Sequence, residues 1–136
     1  MNDDALAQIR AINERAAFNR WLGLEIVEAG DGVATIRMKA HPEATQYVGF
    51  LHAGVIGALL DTACGYAAAT QVGSVLASHY SVNCLAPALG HAFEARGEVV
   101  RAGKRQIFTR AELYAEKDGA RTLVAMGETL LLRANF

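Results

Sequence analysis

The feature that most constrains this chain is a long apolar run, Val48-Gly-Phe-Leu-His-Ala-Gly-Val-Ile-Gly-Ala-Leu-Leu-Asp-Thr-Ala-Cys-Gly-Tyr, with a single carboxylate in it. Between Glu43 and Glu94, Asp61 is the only formally charged side chain. From about Ala53 to Gln71 the run is too long for an ordinary strand, and Ala67-Ala68-Ala69 favours helix. A helix that is apolar nearly all round has to be buried. The run could also suit a membrane span, but His52, Asp61 and several glycines interrupt it. No Lys or Arg cluster flanks it. The expectation is a soluble core helix, which the rest of the chain has to enclose.

The flanking sequence supplies that enclosure. Asp3 or Asp4 can cap a helix running to about Asn19, with Leu6, Ile9, Ile12 and Ala16 as its apolar stripe. Leu24–Ala29 reads as a strand and Gly30-Asp31-Gly32 as a turn. Ala34, Ile36 and Met38 alternate with Thr35, Arg37 and Lys39 in a second strand, which His41-Pro42 ends. After the long helix the period changes to two. Val75–Ala86, His91–Val100, Gln106–Glu116 and Arg121–Arg133 read as four strands. Ile107, Phe108, Ala111, Leu113 and Ala115 are assigned to the inner face of the third, Thr109 to its polar face. Lys117-Asp118-Gly119 makes a hairpin turn. The simple solution is a single α+β domain over residues 1–136, a curved antiparallel sheet wrapped around a long central helix.

Composition narrows the function. At 136 residues and 52% apolar, the chain can build a real core. A net charge of −1 gives no footprint for nucleic acid. Cys64 and Cys84 lack metal-ligand spacing and read as small buried hydrophobes in a reducing compartment. Met-Asn-Asp-Asp at the start has no signal-peptide core, so cytoplasm is the expected location. His41, His79 and His91 have no metal spacing, and no nucleophile elbow, phosphate loop or Rossmann fingerprint occurs.

The chemistry then rests on Asp61. An isolated carboxylate in apolar surroundings is costly, and such groups concentrate at functional sites. Asp61 lies eight residues beyond Ala53, about 12 Å along a helix axis. The N–H groups of Ala53 and Gly54 at the helix start form an anion-binding end able to polarise a carbonyl. Donor and carboxylate both have to reach the reacting group, so one helix cannot serve both roles for one substrate. The site is expected to be shared between two copies of the chain. Small residues on the Asp61 face, among them Gly54, Gly57 and Gly65, indicate close approach by a ligand, a strand or a partner helix.

The run Gln46-x5-His52-Ala53-Gly54-x6-Asp61, followed by alternating strands with Asn83-x3-Pro87, resembles the hotdog-fold acyl-CoA thioesterases of the PaaI-like group, over nearly the whole chain. The resemblance implies Asp61 as nucleophile or general base and the Ala53 N–H as the group polarising the thioester carbonyl. Gln46 would orient water or substrate, and His52 would support the turn. It implies a dimer or dimer of dimers, no metal, and no cofactor beyond the coenzyme A of the substrate. The CoA phosphates would meet Arg101, Lys104 and Arg105, with Gly54 and Gly65 beside the substrate and the acyl group near Phe50, Val55 and Leu59. Three positions depart from the pattern. Ala53 replaces the usual Gly, Gly65 stands where a hydroxyl is common, and Ala77 lacks a hydroxyl too. If strand alternation holds, His79 shares the face of Ala77, where it could substitute for the missing hydroxyl. The rival readings are an acyl-thioester hydratase or dehydratase built on His52 and Asp61, and a non-catalytic acyl-CoA binding domain.

Overall fold

The structure, a computed structural model, describes residues 3–136. The order is α1 (Asp3–Glu14), α2 (Ala17–Leu22), β1 (Glu25–Gly30), β2 (Val33–Lys39), a short 3-10 turn (Pro42–Ala44), α3 (Ala53–Val72), β3 (Val75–Cys84), β4 (Ala92–Ala102), β5 (Gln106–Lys117) and β6 (Ala120–Arg133). The strands form one antiparallel sheet in the order β1-β2-β4-β5-β6-β3. The central helix lies across it, with Leu59, Leu60, Ala63 and Cys64 buried against Ile36, Met38, Leu113 and Val124. This is the expected α+β architecture. By length and composition α3 could cross a membrane, but half of its most apolar window is buried within the fold.

Close packing of helix on sheet needs a glycine where they cross. A Cβ at Gly97 on β4 would stand 2.5 Å from the backbone carbonyl of Ala63. Gly57 on α3 receives the Tyr80 ring of β3, which a Cβ there would meet at 3.3 Å, whereas Gly65 faces open space. The small residues of the helix therefore divide between strand packing and a cavity.

Several details depart from the sequence reading. The first helix stops at Glu14 and a second begins at Ala17, with Ala16 extended between them. Buried polar bonding explains the break. Asn19 Nδ2 donates to Asn13 Oδ1 (3.0 Å) and to the Tyr66 hydroxyl (2.9 Å), and that hydroxyl donates to Asn13 Oδ1 (2.9 Å). Bringing both asparagines to one tyrosine bends the chain. Asp3 and Asp4 occupy the first turn of α1 rather than preceding it, where carboxylates still suit the helix dipole. On β5 the inner face carries Ile107, Thr109, Ala111, Leu113 and Ala115, while Phe108 is exposed on the other side. Thr109 tolerates burial because its hydroxyl donates to the Thr129 carbonyl at 2.7 Å. Cys64 is buried as expected, but Cys84 is exposed.

Two edges bound the sheet, and β3 is the unusual one. Ten residues long, it pairs only with β6, and nearly all its side chains are accessible, with Leu76 58% and Tyr80 50% exposed. A long, partly apolar, unpaired edge is a template for another strand.

Candidate active site

The turn before α3 is built from its own side chains. Gln46 Oε1 accepts the backbone N–H of Val48 (2.6 Å) and of Phe50 (3.2 Å). Gly49, at φ +97°, makes the turn that these bonds close. His52 then caps the helix, its Nδ1 accepting the Gly54 N–H at 2.8 Å. Gly54 is therefore not a free donor, contrary to the sequence expectation. Val55 and Ile56 donate to the His52 carbonyl. The Ala53 N–H has no acceptor among the described residues and remains the open donor of the helix end.

Asp61 is half-buried two turns further on. Its Oδ1 is shielded from solvent and has no hydrogen-bond partner among the described residues. Burial pushes its pKa above the ordinary carboxylate value, and nothing offsets that shift. One wall of a cavity of about 800 Å³ is formed by Asp61, Thr62, Gly65, Tyr66 and Ala69 on α3. The α1–α2 bend supplies the opposite wall through Ile12, Arg15, Ala16 and Asn19, and Val75, Leu76, Ala77 and Leu131 close it from the sheet.

The other expected residues distribute unevenly. Gly65 lines the cavity. Val55 and Leu59 are 8% and 1% exposed and belong to the core rather than to the cavity wall. Phe50 sits half-buried in the capping turn, away from that wall. Lys104 and Arg105 border a separate depression of about 430 Å³ with Phe108 and Leu132 at the β4–β5 hairpin, and Arg101 is on the adjoining end of β4. His79 does not share the face of Ala77. The β3–β6 register shifts at Ser78, so that Ala77 pairs with Leu131 and His79 with Leu130. Adjacent residues of β6 point to opposite faces, and the bulge turns His79 away from the helix. Thr62, Arg15, Asn19 and Tyr66 were not anticipated at the site. The one available signal was Asn13, which falls four residues after Ile9 on an otherwise apolar stripe and so marked a buried polar contact.

This geometry pairs a desolvated carboxylate over a mostly apolar cavity with an open helix N-terminus. The thioesterase superfamily model matches residues 48–122, the stretch holding α3 with its His52 cap, Asp61 and strands β3 to β5. The chain belongs to the thioesterase superfamily. A thioesterase family protein from Silicibacter pomeroyi is 34% identical, with a TM-score of 0.91 over 94% of this chain and 96% of that one. A candidate esterase of Halobacterium salinarum is 30% identical over 74% of this chain and 72% of its own length. The PaaI protein of E. coli, from its phenylacetic acid degradation operon, shares the fold at a TM-score of 0.87 and 23% identity, covering 96% of this chain and 94% of that one. With that membership the fold is the hotdog fold, and the reaction class is thioester hydrolysis.

Proposed function

We propose that the protein hydrolyses acyl-CoA thioesters at a site shared by two subunits. The observation that carries this reading is the buried, unpartnered Asp61 Oδ1 beside an apolar cavity. A carboxylate without a donor is costly to bury, and a reacting water or thioester would supply what it lacks. The thioester carbonyl docks at the Ala53 N–H of one subunit. Asp61 of the facing subunit takes a proton from a water whose oxygen bonds to the carbonyl carbon. The helix N-terminus holds the developing oxyanion. Collapse breaks the C–S bond and releases a carboxylic acid and the CoA thiol, the thiolate taking up the proton. Direct attack by Asp61 through an anhydride gives the same products.

Two features support the division between subunits. Ala53 and Asp61 are about 12 Å apart along one helix, and β3 offers an unpaired edge through which two sheets can join. A dimer or dimer of dimers is the assembly in this reading, working in the cytoplasm without metal or further cofactor. In the cap geometry His52 Nδ1 is engaged by Gly54, which weighs against a dehydratase that uses this imidazole as base.

The test is thiol release from short, medium, long and aromatic acyl-CoA esters, with Asp61→Ala beside the wild type. Asp61-dependent release is the expected result. Equal release by a folded Asp61→Ala protein would sink the mechanism. Tight ester binding without turnover would replace it with a binding function.

A further inference from the structure

Among the described residues that line the cavity beside Asp61, Arg15 is a cation that the proposed hydrolysis does not use. Arg15 lies in the bend between α1 and α2, its N–H bonded to the Ile12 carbonyl at 3.1 Å. The bend is fixed. Asn13 and Asn19 on either side of Arg15 are both bound into the Tyr66 hydroxyl, and Asn13 Nδ2 also donates to the Leu24 carbonyl at 3.1 Å. Tyr66 is five residues past Asp61 on α3, about 7.5 Å further along the axis. The Arg15 segment is thus held beside the part of the cavity beyond the carboxylate.

Among the described residues no carboxylate stands within ion-pair distance of this guanidinium, which belongs to an exposed residue. Arg37, Arg96, Arg110 and Arg121 each pair with glutamates on the sheet, while Arg15 has neither an ion pair nor a side-chain hydrogen bond among the described residues. Nor is it the counter-ion of Asp61, whose pKa is governed by burial alone. Ile12, Ala16, Ala69, Leu76, Ala77 and Leu131 make most of the surrounding wall apolar, while Asn19, Thr62, Tyr66 and Ser74 add polar side chains to it. An arginine donates in a fixed fork that matches a carboxylate in two parallel bonds.

Resting on the acyl-CoA reading above, we infer that Arg15 selects acyl groups that end in an anionic carboxylate, so that half-thioesters of dicarboxylic acids are preferred substrates. The thioester end lies at Asp61, the methylene chain crosses the apolar walls, and the distal carboxylate meets the guanidinium.

The experiment compares hexanoyl-CoA with adipoyl-CoA, esters of equal chain length that differ at the far end. Binding is measured by calorimetry on Asp61→Asn protein, with and without Arg15→Gln, and kcat/KM is measured on the Asp61 protein with the same Arg15 change. The expected result is a preference for adipoyl-CoA on the order of tenfold or more, the size of a charge-assisted pair. With Arg15→Gln the ratio collapses toward one, and Arg15→Lys restores part of it. Equal affinity for the two esters, or a ratio unchanged by Arg15→Gln, overturns the inference. So does equal weakening of both esters, which would place Arg15 on the shared CoA moiety. The binding arm decides even if neither ester turns over, and absent turnover counts against the hydrolysis reading alone.

Discussion

The imidazole of His52 accepts the backbone N–H of Gly54 at 2.8 Å, and this one bond assigns the donors at the start of α3. It consumes Gly54, leaves Ala53 open and makes His52 an N-cap. Removing a cap costs about 1 kcal/mol of stability. His52→Ala should therefore lower the unfolding midpoint and reduce turnover through misalignment of Ala53. Asparagine is a strong N-cap, so His52→Asn should recover most of both. If His52→Asn is as stable as wild type yet as inactive as His52→Ala, the imidazole takes part in the chemistry and the positioning role is wrong.

The Ala53 donor can be deleted with little strain. Proline is favoured at the first position of a helix, and His52 at φ −60°, ψ 136° already has the backbone that a residue before proline prefers. Ala53→Pro should fold and lose on the order of 10²- to 10³-fold in kcat, the size seen for loss of one oxyanion donor. Co-assembly with the Asp61→Asn chain gives the sharper result. In a mixed dimer one of the two shared sites keeps both groups. Random assembly of two nearly inactive parents should therefore return about a quarter of wild-type activity, following from two-fold symmetry. Mixtures no more active than their parents would show that each chain holds a complete site.

How much of this could be read from the sequence follows from the range of each interaction. The central helix was legible because burial of an apolar cylinder is a composition effect. The strands were legible because period two survives single exceptions such as Thr109, which hides its hydroxyl in a hydrogen bond to Thr129. The face of His79 was not legible. A bulge at Ser78 shifts the period, and no residue type there announces it. The bend at Arg15 was missed because its cause, Tyr66, lies 47 residues from Asn19. Asp61 stood out as an isolated charge, whereas the wall opposite it is assembled from distant segments.

Gln46 received a water- or substrate-orienting role from its place before the helix. The structure commits its carbonyl oxygen to the N–H groups of Val48 and Phe50. Each such bond contributes about 1 kcal/mol net. Gln46→Ala should loosen the capping turn, raising its amide exchange, and lower turnover less than Asp61→Ala does. Gln46→Glu keeps an acceptor and should preserve the turn better than alanine. A Gln46→Ala protein with an undisturbed turn but no turnover would return the side chain to the reaction itself.

Asp61 couples activity to stability through its proton. Burial raises its folded pKa above the unfolded value, with no charge or donor opposing the shift. Between those two values the folded state holds a proton that the unfolded state has released. Stability therefore falls as pH rises from the ordinary carboxylate value, near 4, through the raised folded one, and the loss persists at neutral pH. Asp61→Asn keeps the shape and removes the ionisation. Its unfolding midpoint should exceed that of wild type at pH 7, and the difference should shrink as pH falls through the raised folded pKa and level off below about 4, where the aspartate is protonated in both states. Turnover runs the other way. The reaction needs the ionised form, so kcat/KM should fall on an acid limb lying above the usual carboxylate range. The asparagine variant should lose on the order of 10²-fold or more at every pH. A variant less stable than wild type at pH 7 would mean that the ionised carboxylate is satisfied in the assembled protein. The partner subunit would then already supply the donor that the proposed mechanism reserves for water or substrate.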